Sequence, residues 1–101
     1  MDEIERNRLL RQFEKRLRDD AEEAVIIGYY PARFLQMLDN YPADEVARKL
    51  IASGDLQEGL KRLKREDRLD LALETVMQEK EFRRLFSEEE IKAAEWRLQQ
   101  L

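Results

Sequence analysis

The chain has 101 residues, the length of a single domain, with 19 Lys and Arg against 23 Asp and Glu. It contains no cysteine and no histidine, which excludes disulfides, thiolate chemistry, Cys/His zinc sites and histidine-based catalytic triads. A chain this short spares little room for a deep ligand cavity, so we expect neither a small-molecule substrate nor a cofactor. The start of the chain lacks signal-peptide features and no apolar run is long enough to cross a membrane, so we expect a cytoplasmic protein without membrane contact.

A long first helix is predicted from about Asp2 to Ile26, because apolar residues recur at helical spacing and neither Gly nor Pro interrupts them. Gly28 is predicted to end this helix as part of its C-terminal cap. A charged helix with a narrow apolar stripe often packs against a partner helix, which predicts a role in association. The predicted stripe consists of Leu10, Phe13, Leu17, Ala21 and Ala24.

Three short helices are predicted next. Pro31 and Pro42 suit the first turns of the second and third, since proline fixes φ and lacks an N–H. The pair Ser53-Gly54 is predicted to stop the third helix, and Asp55 with Glu58 predicts a capping box for the fourth. The predicted apolar face is Phe34, Leu35 and Leu38 in the second helix, Val46, Ala47, Leu50 and Ile51 in the third, and Leu56, Leu60 and Leu63 in the fourth. Gly59, within the fourth helix, predicts a close helix crossing.

Two further helices complete the chain. The fifth is predicted through Leu69, Ala72, Leu73, Val76 and Met77, followed by a compact apolar link from Phe82 to Phe86. Ser87 with Glu90 predicts a capping box for the sixth, whose stripe is Ile91, Ala94, Leu98 and Leu101 with Trp96 offset from it. No stretch alternates with period two for long enough to be a strand.

The predicted fold is therefore all-α: a compact bundle of about six helices, with a long N-terminal helix followed by short ones. Residues 1–27 form the charged amphipathic helix and residues 28–101 the compact helical domain, as one structural unit. The short helices have no fixed period, which favours a bundle over a solenoid.

Aromatic side chains gather around the second helix. Such groups are usually core or lid, but tyrosine is also favoured in binding faces because it offers a rigid contact and a hydroxyl. Trp96 either closes the edge of the core or anchors an interface. The candidate protein interface consists of Tyr29, Tyr30, Arg33, Phe34 and Trp96.

Two basic ridges are candidate contacts to nucleic acid. The first is Arg8, Arg11, Lys15 and Arg18 on the first helix, and the second is Lys61, Lys64, Arg65 and Arg68. Cationic ridges can bind a phosphate backbone, but they are also typical of solvated helix faces. Predicted i,i+4 pairs from Lys15 to Asp19 and from Arg18 to Glu22 balance part of the charge, and no known reader motif is present.

The acidic stretch Asp19, Asp20, Glu22 and Glu23 suggests two further hypotheses, a Mg²⁺ site and mimicry of DNA. A metal site of this kind needs a second acidic set facing the first, and Glu88, Glu89 and Glu90 are better explained as capping acids. Mimicry needs a continuous anionic face, which the basic ridges interrupt. We therefore expect no metal.

Three segments resemble a small helical domain of unknown function found in many bacterial proteins. They are Gly28-Tyr29-Tyr30-Pro31-Ala32-Arg33-Phe34-Leu35-Gln36-Met37-Leu38, Arg68-Leu69-Asp70-Leu71 with Glu74, and Phe82 to Ile91 with Ala94. The resemblance covers residues 28–101 and carries no catalytic residue. In that family the domain often ends larger proteins that look like restriction or other defence enzymes, which implies an accessory module.

The sequence thus predicts a non-enzymatic protein-interaction module, binding another protein or its own copy in a bacterial defence or nucleic-acid-processing context. Nucleic-acid binding through the two ridges is the alternative. A second alternative is a small phage-type inhibitor of a defence enzyme, which requires only the same kind of complementary surface.

Overall fold

The computed structural model describes residues 1–53 and 58–101. Within those ranges the chain forms six α-helices and two 3-10 turns, with no strand, which confirms the predicted all-α bundle. The helices are α1 Glu3–Ile26, α2 Ala32–Asn40, α3 Ala43–Ile51, α4 Glu58–Arg65, α5 Leu73–Met77 and α6 Glu88–Gln99, and the 3-10 turns are Leu69–Leu71 and Arg83–Leu85. The predictions for Gly54, Asp55 and Leu56 lie outside the described residues.

Helix α1 begins and ends at residues suited to those positions. The Asp2 carboxylate accepts a hydrogen bond from the backbone N–H of Glu5 at 2.8 Å, an N-cap that satisfies one free donor of the first turn. At the other end, Gly28 has a φ of 91°, and the Tyr29 N–H donates to the Ala24 carbonyl at 2.9 Å. This left-handed cap confirms that Gly28 ends the helix.

The apolar stripe of α1 is buried within its own bundle. Leu9, Phe13 and Leu17 enter a large cluster with residues of α2, α3, α5 and α6, whereas Ala24 joins a smaller cluster with Leu60 of α4. Leu10 was predicted to belong to the stripe but is only partly buried. The neighbouring Leu9 is buried and takes that place in the core. The stripe therefore packs on its own bundle, which answers a question that its sequence pattern leaves open.

The predicted fifth helix is interrupted at Ala72. This residue has an extended backbone with φ −73° and ψ 140°, so a 3-10 turn precedes it and α5 follows it. The Leu69 carbonyl accepts from the Ala72 N–H at 3.1 Å and from the Thr75 hydroxyl at 2.7 Å, whereas a continuous α-helix would pair it with the N–H of Leu73. Ala72 and Leu73 are nevertheless buried. The apolar residues of this segment therefore reach the core as predicted, although the backbone at Ala72 is extended and not helical.

Helix α6 closes the bundle and starts with the predicted capping box. The Ser87 hydroxyl accepts from the Glu90 N–H at 3.1 Å, and the Ser87 N–H donates to the Glu90 carboxylate at 2.8 Å. Ile91 and Ala94 face the core as predicted. None of the helices in the described ranges combines the length and apolar character needed to span a membrane.

Candidate protein-interaction site

An open cleft of about 670 Å³ lies between α1, α2, α4 and the segment 71–74. Binding pockets for small ligands typically measure about 300 to 1,000 Å³, so the volume of the cleft lies within that range. Most of its lining is aliphatic or aromatic. Its apolar wall includes Leu17, Phe34, Met37, Leu50, Leu60 and Leu63.

Tyr29 forms one wall of the cleft by lying against Gly59 of α4. A Cβ atom added at Gly59 would stand 2.8 Å from the Tyr29 Cζ, closer than side chains tolerate. The glycine was predicted to allow a close helix crossing, but what approaches it is this tyrosine ring. Burial raises the pKa of the Tyr29 hydroxyl, which is consistent with a ring enclosed at the wall.

Asp20 contributes a carboxylate to the cleft and is held by Arg16. The Arg16 Nε donates to both Asp20 oxygens at 3.2 and 3.1 Å, while its Nη1 lies 2.7 Å from the Glu79 carboxylate. Burial raises the pKa of Asp20 in spite of the arginine beside it. Across the described residues, no group of three or more acidic side chains is placed to hold a metal ion.

Glu74 and Arg97 form a buried ion pair at the same cleft. The Arg97 Nε lies 2.9 Å from the Glu74 carboxylate, and the two side chains are only 1% and 5% exposed. Arg97 also donates from Nη1 to the Ser53 carbonyl at 2.9 Å, which ties α6 to the end of α3. Sequence reasoning missed this pair, although Arg97 falls three residues after buried Ala94, where a charge on an apolar stripe indicates a partner.

The structure brings three of the five predicted interface residues to the cleft. Tyr29, Arg33 and Phe34 line it, Phe34 half-buried and Arg33 exposed. Tyr30 is 67% exposed on the turn beside them, and Trp96 is 53% exposed on α6; neither side chain lines the cleft. The aromatic group around α2 therefore divides between the cleft wall and the outer surface.

Part of the first basic ridge is engaged in ion pairs. Lys15 binds Asp19 at 2.7 Å, as predicted. Arg18 binds Glu14 at 3.1 Å and Asp39 of α2 at 3.0 Å, in place of the predicted pair with Glu22. Arg8 and Arg11 are exposed and make no ion pair with any residue that the structure describes.

The second basic ridge is likewise divided. Arg68 binds Asp70 at 3.0 Å and lies 4.0 Å from Glu23 of α1, and Lys61 lies 3.4 Å from Glu58. Lys64 and Arg65 are exposed, without an ion pair inside residues 1–53 and 58–101.

The two ridges do not share one side of α1. At ~100° per residue, Glu23, beside which Arg68 lies, is rotated by ~140° around the helix axis from Arg18. Arg68 therefore does not continue the row formed by the first ridge.

Comparison with known proteins gives no relative for this chain: no family model matches it, and neither a curated protein nor a solved structure matches it significantly.

Proposed function

We propose that this chain is a non-enzymatic protein-interaction module whose cleft receives the apolar face of an amphipathic helix from a partner protein. The observation that carries the proposal is the open, mainly apolar cleft of about 670 Å³, walled by Tyr29 and Phe34. Buried aromatic side chains of this kind dominate the energy of interfaces. The absence of histidine and cysteine from the sequence removes the commonest catalytic groups.

A helix is the form of partner segment that suits this site. Grooves between helices take amphipathic helices, whose anchors recur at i, i+3, i+4 and i+7. Pairing of an extended peptide needs an exposed strand edge, and the described part of the chain contains no strand. The proposed contact is therefore made by side chains in the cleft.

The resemblance of residues 28–101 to a bacterial domain of unknown function supplies the proposed context, which is defence or nucleic-acid processing. An accessory subunit and a phage-type inhibitor would use the same cleft. The neighbouring genes would distinguish these two roles, because one lies beside the partner gene and the other in a phage genome.

The test begins with a displayed library of amphipathic helical peptides selected on the purified chain. A selected peptide is then titrated into ¹⁵N-labelled protein, and we expect amide shifts at Tyr29, Phe34 and Leu60. Tyr29→Ala should weaken binding about 30-fold, the effect of losing an aromatic hot spot. Its matched control is Tyr30→Ala, next in sequence but outside the cleft, which should change the Kd by less than about 3-fold.

Two results would overturn the proposal. One is a selection that enriches no helical peptide; the other is a set of shifts confined to a surface away from the cleft. Because the shift map uses the wild-type chain, it stands even if Tyr29→Ala folds poorly. Light scattering of the protein alone, at several concentrations, separates a foreign partner from a second copy of this chain.

Nucleic-acid binding is the alternative, and one observation favours it: Arg8, Arg11, Lys64 and Arg65 are exposed and make no ion pair with a described residue. It predicts retention of duplex DNA or RNA at ~50 mM salt, where contacts to phosphate are strongest. Retention should fall in an Arg8→Glu, Arg11→Glu variant. The absence of any mobility shift from the wild-type protein would exclude this alternative.

A further inference from the structure

We infer that the partner helix carries an acidic residue beside its apolar face, and that this residue pairs with Arg33 at the cleft. The inference rests on the proposed function and specifies the chemistry of the occupant. It follows from the balance of charge among the residues that line the cleft.

Three acidic residues of the described part of the chain line the cleft, and all three are paired with a cation from within the chain. Each of the three accepts a hydrogen bond from a cationic side chain at 2.9 to 3.4 Å. The pairs are Asp20 with Arg16, Glu58 with Lys61, and Glu74 with Arg97. Each of these carboxylates therefore already has a cationic partner within the chain, although Arg16 is shared between Asp20 and Glu79.

Arg33 also lines the cleft, but the described residues offer it no side chain of opposite charge within ion-pair distance. It is the second residue of α2, exposed beside Phe34, and it makes no ion pair with any residue of 1–53 or 58–101. An apolar segment that covers the cleft would remove water from the guanidinium, which is costly unless an anion replaces the water. A carboxylate on the partner supplies that anion, and the planar guanidinium can bind it through two parallel hydrogen bonds.

The expected partner is therefore an amphipathic helix with apolar anchors at i, i+3 or i+4, and i+7, flanked by Asp or Glu at the edge that meets Arg33. A Lys or Arg at that edge would place like charges together in a partly desolvated contact. The cleft then selects partners by charge at its edge as well as by apolar side chains within it.

The experiment uses a helical peptide library with fixed apolar anchors and randomised flanking positions, selected separately on the wild type, Arg33→Glu and Arg11→Glu. We expect the wild type to enrich Asp and Glu at one flanking position. Matched peptides with Glu or Lys there should differ at least 10-fold in Kd. Arg33→Glu should reverse the preference. Arg11→Glu should preserve it, because Arg11 is exposed and lies outside the cleft.

The outcomes separate this inference from the proposed function. Apolar helices that bind without a charge preference, or with one unchanged in Arg33→Glu, would overturn the inference and leave the proposed function standing. Retention of no helical peptide at all would overturn both. Circular dichroism of the two variants checks that they keep the helical fold, and the Glu and Lys peptides on wild-type protein test the preference without any variant.

Discussion

Gly28 and Asp67 end two different helices in the same way. Gly28 follows α1 with a φ of 91°, and Asp67 follows α4 with a φ of 57°. In each case the next residue donates its N–H to a carbonyl five positions back, to Ala24 from Tyr29 and to Leu63 from Arg68. These are Schellman caps, in which glycine is the favoured residue because a Cβ atom strains the left-handed backbone.

The first prediction follows from that shared geometry. Asp67→Gly should raise the free energy of unfolding by up to about 1 kcal/mol, because it relieves the left-handed strain. Gly28→Ala should lower it by about 1–2 kcal/mol. Urea denaturation measures both changes, and the control is Ala52→Gly.

Ala52 ends α3 with an ordinary φ of −76°, so glycine there should cost about 0.5 kcal/mol. If Asp67→Gly and Ala52→Gly destabilise the protein equally, then backbone strain at Asp67 is not what the substitution relieves.

A second prediction concerns the contact of Tyr29 with Gly59. Alanine is a better helix former than glycine by about 1 kcal/mol, but the three described atoms nearest to a Cβ at Gly59 all belong to Tyr29. Gly59→Ala should therefore be less favourable in the wild type than in a Tyr29→Ala background, with a coupling on the order of 1 kcal/mol. A double-mutant cycle by thermal or urea unfolding measures it, and additive effects would contradict the contact.

The third prediction tests the buried ion pair. Arg97→Met leaves the Glu74 carboxylate buried without its guanidinium, which should cost about 3–5 kcal/mol. The double variant Arg97→Met, Glu74→Leu should recover most of that loss, since it removes both charges from the interior. Chemical denaturation provides the measurement. A double variant as unstable as Arg97→Met alone would show that the unpaired Glu74 charge is not what accounts for the loss, and would point to packing and to the lost hydrogen bond from Arg97 to the Ser53 carbonyl.

The fourth prediction is a pH dependence set by Glu90. Burial raises its pKa, but the Ser87 backbone N–H and the Arg48 guanidinium 2.7 Å away outweigh burial and leave the pKa below its usual 4.5. Because the folded-state pKa is lowered, the stabilisation is complete above the usual value and is lost as the pH falls through the lowered one.

Glu90→Gln should accordingly reduce stability near neutral pH by about 1 kcal/mol, and the difference should shrink as the pH falls below about 4.5. Glutamine retains a group that can complete the capping box, so the change isolates the charge. Glu89→Gln, at an exposed position in the same turn, is the control. A wild-type advantage that persists unchanged into strong acid would contradict the role of the Glu90 charge.

Most helix starts and ends could be predicted, because they depend on residues close to them in the sequence. Pro31, Pro42 and the Ser87 capping box place helix starts, and Gly28 places a helix end, each through constraints within a few residues. The break at Ala72 was not predictable from the apolar pattern, since the residues on both sides are buried whether the backbone is helical or extended there.

The cleft was less accessible to sequence reasoning than the helices. Tyr29, Arg33 and Phe34 were identified as candidates from the group of aromatic residues around the second helix, but their grouping with Leu60 depends on where α4 packs in the bundle. The pairing of Glu74 with Arg97 joins residues 23 positions apart, and helical spacing carries no information about contacts at that range. The same limit applies to the two basic ridges, because the rotation of the helices in the bundle decides which residues share a side.

Helix α1 joins both hydrophobic clusters, through Leu9, Phe13 and Leu17 at one end and Ala24 at the other. Unfolding of α1 itself would therefore disturb both clusters together. Amide protons in the middle of α1 should accordingly share one free energy of opening, close to that of unfolding the whole molecule. Occupation of the cleft, which lies against the C-terminal half of α1, would then slow exchange along the entire helix.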